Sequence, residues 1–228
     1  MNAPSIVFLG IQLTEPFTLL TDLLVAVFCF AFAYHLYREK LEKSPQTYWA
    51  IFFLFIGLAS LIGGVAHGFI LYVGMQTHYS AWLISSLGIF AAQMATLPLI
   101  NNKQTLVYLR FLVCIELIVS LGCVLYFRDF DIVRINSAFG LLVVVLPILF
   151  FHYQENRDRG SALLIIGILS NLFPAIIHAF HLSYSIWFTA NDLSHVVMVL
   201  CFYLMFKGAS QIAFVVPSEK LAEVVVRA

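Results

Sequence analysis

The sequence is short of charge: Asp, Glu, Lys and Arg together make up 11% of its 228 residues. A soluble domain carries nearer a quarter, so a chain folded with water on every side is excluded. Formal net charge is zero and the twelve basic residues form no stripe, which removes nucleic-acid binding from consideration. Cysteine is scarce as well. Cys29, Cys114, Cys123 and Cys201 lie in apolar runs without paired spacing; they read as small buried hydrophobes, not as a disulfide frame or zinc knuckle. Low-complexity tracts and internal repeats are lacking too. No hairpin signal and no strand period of two appears, so a barrel is not expected.

Apolar residues fill the space instead. They make up 62% of the chain, and the mean hydropathy is +0.96. They fall in runs of about 20, enough to cross roughly 30 Å of hydrocarbon at the helical rise. Seven candidate spans follow: Phe17–Tyr37, Tyr48–Val73, Ser80–Ile100, Thr105–Tyr126, Ile132–Phe151, Ser161–Leu182 and Asp192–Val216. In a bilayer each run must satisfy its backbone internally, so each is expected to be a helix. Pro98, Pro147 and Pro174 lie within runs and are expected to kink them. The first run carries Glu15 and Asp22 rather than a basic start, and reads as a span, not a cleavable leader. The fold expected is all-α, one domain over residues 1–228, a seven-helix membrane bundle.

Basic residues give an orientation. Arg38, Lys40, Lys43, Lys103, Arg110, Arg157, Arg159, Lys207, Lys220 and Arg227 share one side of a seven-span chain, while Arg128 and Arg134 fall opposite. The N-terminus is thus expected outside and the C-terminus in the cytoplasm, in the plasma or inner membrane.

An ionisable side chain at depth costs about 3 kcal/mol on insertion scales, so each needs a reason. On this topology Glu15, Thr21 and Asp22 head helix 1, and His67 ends helix 2 after Ser60, Gly63 and Gly64. His178 and His181 close helix 6, while Asn191, Asp192 and His195 open helix 7. All reach one level, the outer third. Imidazole is a common metal ligand, and a catalytic zinc takes about three protein ligands plus water. His67, His195 and either His178 or His181 are the candidate zinc ligands. Asp22 or Asp192 is the candidate base or orienting residue, and Ser60 a candidate oxyanion donor.

Structural uses compete with these. Glu15, Asp22 and Asp192 also suit helix starts, and Gly63, Gly64 and Gly68 suit close helix packing. The Phe and Trp residues suit a lipid-facing surface, with Trp49, Trp82 and Trp187 near the interfaces. His35 and His152 fall at the inner interface, where snorkelling accounts for them, and Lys207 is placed to snorkel there, with a Schiff base to a retinoid as its second reading. Glu116, mid-helix 4, must face the interior as a protonated carboxyl or a proton path.

Seven helices, an outward N-terminus, a Ser and His late in helix 2 and a His opening helix 7 resemble the alkaline ceramidase and adiponectin-receptor (CREST) superfamily. That resemblance implies a zinc site made by one helix-2 and two helix-7 histidines, with a helix-2 Ser and a helix-3 Asp nearby. It also implies hydrolysis of lipid amides such as ceramide and, in the ceramidases, an acidic N-terminal calcium site. His67 and His195 match two ligands, and Asn191 stands where the third would be. Ser60 precedes His67 by seven positions against the family's four, with Gly63 at the nearer place. Helix 3 offers Ser85, Ser86 and Gln93 but no Asp, and Glu15 and Asp22 resemble the acidic residues in placement.

The function expected is a zinc-dependent hydrolase of an amphipathic lipid, with membrane lipids as its surroundings. Two alternatives stand beside it: a binder or transporter using the same outer cavity with Glu116 as proton relay, and a haem protein with His67 and His195 as axial ligands.

Overall fold

The computed structural model describes residues 4–38 and 45–212. Lys40, Lys43, Lys220 and Arg227, and the end of the seventh candidate span, lie outside them. Among the described residues the architecture is an all-α bundle with seven helices long and apolar enough to cross a membrane.

The first three spans are single helices: α1 (Pro16–Arg38), α2 (Pro45–Val73) and α3 (Gln76–Thr96), which a 3₁₀ turn at Leu97–Leu99 closes. α4 (Lys103–Phe127) is the fourth. The fifth joins α5 (Phe130–Ala138), a π-helical stretch Phe139–Val145 and α6 (Leu146–Asn156), and the sixth joins α7 (Arg159–Ser170) to α8 (Leu172–Ala179). α9 (Ala190–Gln211) is the seventh.

The three interior prolines act where their missing N–H falls. Pro98 ends α3 in the 3₁₀ turn. Pro147 cannot bond the carbonyl of Val143, which lies in the π-helical stretch. Pro174 cannot bond that of Ser170, where α7 gives way to α8.

One element was not expected. Ser5–Phe8 (β1) and Ile11–Thr14 (β2) form an antiparallel hairpin through Leu9 and Gly10, both at positive φ. Two residues in that region make the two-residue turn that matches strand twist. The alternation is mostly apolar on both faces, which hid it.

α1 buries Thr18, Thr21, Asp22, Val25, Cys29, Phe32, Ala33 and Leu36, a stripe with steps of three and four, against α2 and α9. Phe32, Phe52, Phe53 and Phe202 pack edge-on inside this core. So these Phe residues are core, not a lipid-facing belt. Trp49 is likewise fully buried, edge-on to Phe52. Of the cysteines, Cys29 and Cys201 are buried as expected, whereas Cys114 is exposed on α4. His152 is buried and joined to Ser161 Oγ at 2.9 Å, so it does not snorkel. Lys207 stands with its ammonium 5.9 Å from the Tyr203 ring centre.

Candidate carboxylate–imidazole site

The site forms where α1 and α9 begin and α2 ends. Gly64 and Gly68 let α2 lie almost against α1. A Cβ at Gly64 would stand 2.9 Å from Asp22 Cβ and 3.2 Å from the Leu19 carbonyl, and one at Gly68 would stand 2.8 Å from Leu19 Cδ2. Packing this close is what the small residues permit. A Cβ added at Gly63 would meet the Asp22 carboxylate oxygens at 3.7 and 3.9 Å.

Just past His67, α2 bends at Phe69, whose φ of −122° and ψ of 24° are not helical. Thr14, the last residue of the hairpin, donates its hydroxyl to the His67 carbonyl at 2.5 Å, and the Gln12 amide donates to Tyr72 Oη at 3.0 Å. The hairpin is thereby sewn onto α2. Its exit residue, Glu15, sits at φ +44° ahead of Pro16, a conformation costly for a side-chain-bearing residue. That turn directs its carboxylate to His67 Nδ1 at 2.6 Å. The bond from His67 holds the Glu15 carboxyl below its ordinary range, against partial burial that pushes it up.

Gly74, at φ +73°, reverses the chain between α2 and α3. His78, in the first turn of α3, then returns its ring edge-on to His67 with centroids 4.7 Å apart. His78 belongs to this cluster and was not anticipated. Gly74 was the usable clue, because a glycine late in an apolar run ends a helix and faces the next first turn back on the last one.

A second carboxylate–imidazole pair lies deeper. His195 Nε2 is 3.7 Å from Asp22 Oδ1, and its Nδ1 is 3.1 Å from Thr21 Oγ1. Thr21 has one hydroxyl proton for three acceptors: His195 Nδ1, the Thr18 carbonyl and Asp192 Oδ1. Only donation to His195 leaves a neutral ring with its Nε2–H aimed at Asp22. Asp22 is also within electrostatic reach of His67, Asp192 and Glu15, so both pairs share one field.

The other sequence candidates are placed as follows. Asp192 is fully buried and caps its own helix, accepting from the Thr189 amide and hydroxyl at 2.5 and 2.9 Å. Ser60 stands seven residues before His67 on α2, ~10 Å along the axis. His178 is held by Arg134, whose guanidinium donates to Nδ1 at 3.2 Å. Arg134 also pairs with Asp131. His181 is exposed, at φ +51° in the α8–α9 connection. Thus His67, Asp22 and His195 come together, with Glu15 and His78, while the His178 ring is held by Arg134 and His181 is exposed. Among the described residues no three His, Cys, Asp or Glu side chains form a metal-holding group.

Fold and site define the class: a hairpin-capped bundle of seven apolar helices with paired carboxylates and imidazoles at one end. Within it, the chain belongs to the family described as "Family of unknown function (DUF6962)", which matches residues 17–213. No curated protein and no solved structure matches it.

Proposed function

We propose that this protein is an integral membrane hydrolase of an amphipathic lipid, with its carboxylate–imidazole site near the extracytoplasmic face. Membrane residence is supported by the apolar exterior. Phe111, Leu112, Ile118 and Val119 are more than half exposed on α4, and such a face is stable against acyl chains, not water. The orientation is supported by the skew of Lys and Arg.

The observation that carries the chemistry is the Glu15–His67 bond beside the Asp22–His195 pair. With Glu15 accepting the Nδ1 proton, His67 Nε2 becomes a proton acceptor of fixed orientation. It takes a proton from water as the water oxygen adds to the scissile carbonyl carbon. The same proton then passes to the departing amine or alcohol as the C–N or C–O bond breaks. His78, edge-on to His67, is the donor to the developing oxyanion in this reading. Asp22 and His195, behind them, hold a second ionisable pair in the same field.

The test is hydrolysis of N-acyl amide and O-acyl ester lipids by the full chain in nanodiscs. His67→Ala should lower kcat/KM by about 10²–10⁴-fold, and Glu15→Gln by less, with the lipid KM unchanged. A folded wild-type protein that cleaves neither class would overturn the reading.

A further inference from the structure

A cavity of about 1010 Å³ lies between α4 and the fifth span, at the upper end of the range for small-molecule sites, ~300–1,000 Å³. Its origin is visible in the helices. α4 buries only Val113, Ser120 and Val124, while Gly140 brings the fifth span against Ile89 and Gln93 of α3. The cavity follows the fifth span from Ile132 to Glu155, ~34 Å at the helical rise. Leu112, Val119, Ile135, Phe139 and Val143 line it and are also exposed on the outside of the bundle, so it opens sideways to the surface read above as lipid-facing. Glu116, about midway, turns its carboxyl to Gln93 of α3 and keeps Oε1 sealed.

The open acceptors stand at the end farthest from the carboxylate–imidazole cluster. Asn101, Asn102 and Thr105 bound that end on one side, His152 and Glu155 on the other. His152 is 6% exposed, and its Nδ1 lies 2.9 Å from Ser161 Oγ. Ser161 donates its single hydroxyl proton to Asp158 Oδ2 at 2.8 Å, because a carboxylate is the stronger acceptor. His152 Nδ1 therefore carries the ring hydrogen and donates to Ser161, which leaves Nε2 a bare acceptor. No described group bonds Nε2, and it is not sealed inside the protein as Glu116 Oε1 is. The cavity that His152 lines is the space it faces. Glu155 follows three residues later, on the same helix face. Among the described residues no Lys or Arg lines the cavity to balance its charge. Two adjoining acceptors, one anionic, call for a cationic donor.

We infer that this cavity binds a long-chain ammonium amphiphile, its tail along α4 and the fifth span and its head between His152 Nε2 and Glu155. An ammonium has three N–H donors and a charge, so one head serves both acceptors. A hydroxyl has one proton and no charge. A sulfate or phosphate head has neither donor nor favourable sign. The tail enters sideways and replaces lipid contacts along the apolar wall. This site lies at the other end of the bundle from the hydrolytic one and does not depend on it.

The experiment uses the full chain in nanodiscs and three probes that carry a diazirine in one hexadecyl chain: the amine, the alcohol and the sulfate. None has an acyl bond, so the outcome is independent of hydrolysis at His67. The amine should label α4 and α6 about tenfold more than the alcohol, the value of a hydrogen bond to a charged group, and the sulfate should label them least. Glu155→Gln, a change at an exposed position, should bring the amine down to the alcohol's level with an unchanged melting curve. His152→Phe, which keeps a ring in place and leaves Ser161 bonded to Asp158, should also lower labelling by the amine; if it does not fold, Glu155→Gln decides alone. Equal labelling by amine and sulfate in the wild type, or an undiminished preference for the amine in Glu155→Gln, overturns the proposal.

Discussion

Glu15 and His67 are 52 positions apart in the chain and 2.6 Å apart in space. The link closes the N-terminal hairpin over the end of α2, and it sets the state of both groups. Because the hydrogen bond from His67 depresses the Glu15 carboxyl, its stabilising effect is complete above the unfolded value of 4.5. The effect is lost as pH falls through the lower folded value. His67 and His78 are the titratable groups facing it. Melting temperatures of wild type and Glu15→Gln should thus differ most near neutral pH and converge as pH falls from 4.5 through the lower folded value. A gap that is constant across that range would show that the carboxylate charge contributes nothing to the fold.

The α1–α2 contact should tolerate almost no added volume. Gly64→Leu must displace Asp22 or the Leu19 carbonyl, 2.9 and 3.2 Å from the new Cβ. Overpacking of this kind costs about 1–3 kcal/mol, and it also moves a carboxylate of the proposed site. Gly122→Ala on α4 is the matched control, since a Cβ there meets nothing within 4 Å. It should leave stability unchanged or raise it by up to about 1 kcal/mol. Thermal unfolding followed by circular dichroism separates the two.

Asp192 carries a helix start as well as a place beside the site. Its Oδ2 takes both Thr189 donors; without it a half-buried amide loses its partner. Asp192→Ala should cost about 1–2 kcal/mol and speed amide exchange over the first turn of α9, while Asp192→Asn should recover part of both. If activity falls and exchange does not change, the residue acts in the chemistry and not as a cap.

Much of this arrangement could be read from residue order. The seven apolar runs and the prolines located the helices within a few residues, because bilayer length and a missing N–H act locally. The level shared by Glu15, Asp22, His67, Asp192 and His195 followed from counting along those runs. What escaped was set by pairing across the chain. The hairpin depends on Leu9 and Gly10 both adopting positive φ, and nothing in an apolar decapeptide announces that. His78 depends on the Gly74 reversal. His178 lies at the expected level, yet Arg134, from a different span, holds its ring. Depth was legible; rotation about each helix axis was not. Trp49 illustrates the difference, lying near a helix end as expected but turned inward against Phe52.

That rotation makes the histidines separable by mutation. His178 Nδ1 accepts from Arg134, whereas the His67 and His195 rings are held by Glu15 and Thr21 and face Asp22's surroundings. Replacing His178 with Ala should leave lipid hydrolysis within about threefold of wild type, as for a residue outside the reacting group. His67→Ala should lower it by about 10²–10⁴-fold and His195→Ala should reduce it strongly. Elemental analysis and a visible absorption spectrum of the same preparations complete the comparison. Stoichiometric zinc retained by His178→Ala and lost from both His67→Ala and His195→Ala would make those two rings metal ligands, with the third donor supplied by another residue. A Soret band lost in the same two variants would make them haem ligands. Full activity in metal-free, colourless wild type, with His178→Ala unaffected, is the outcome the Glu15–His67 acid–base pair requires.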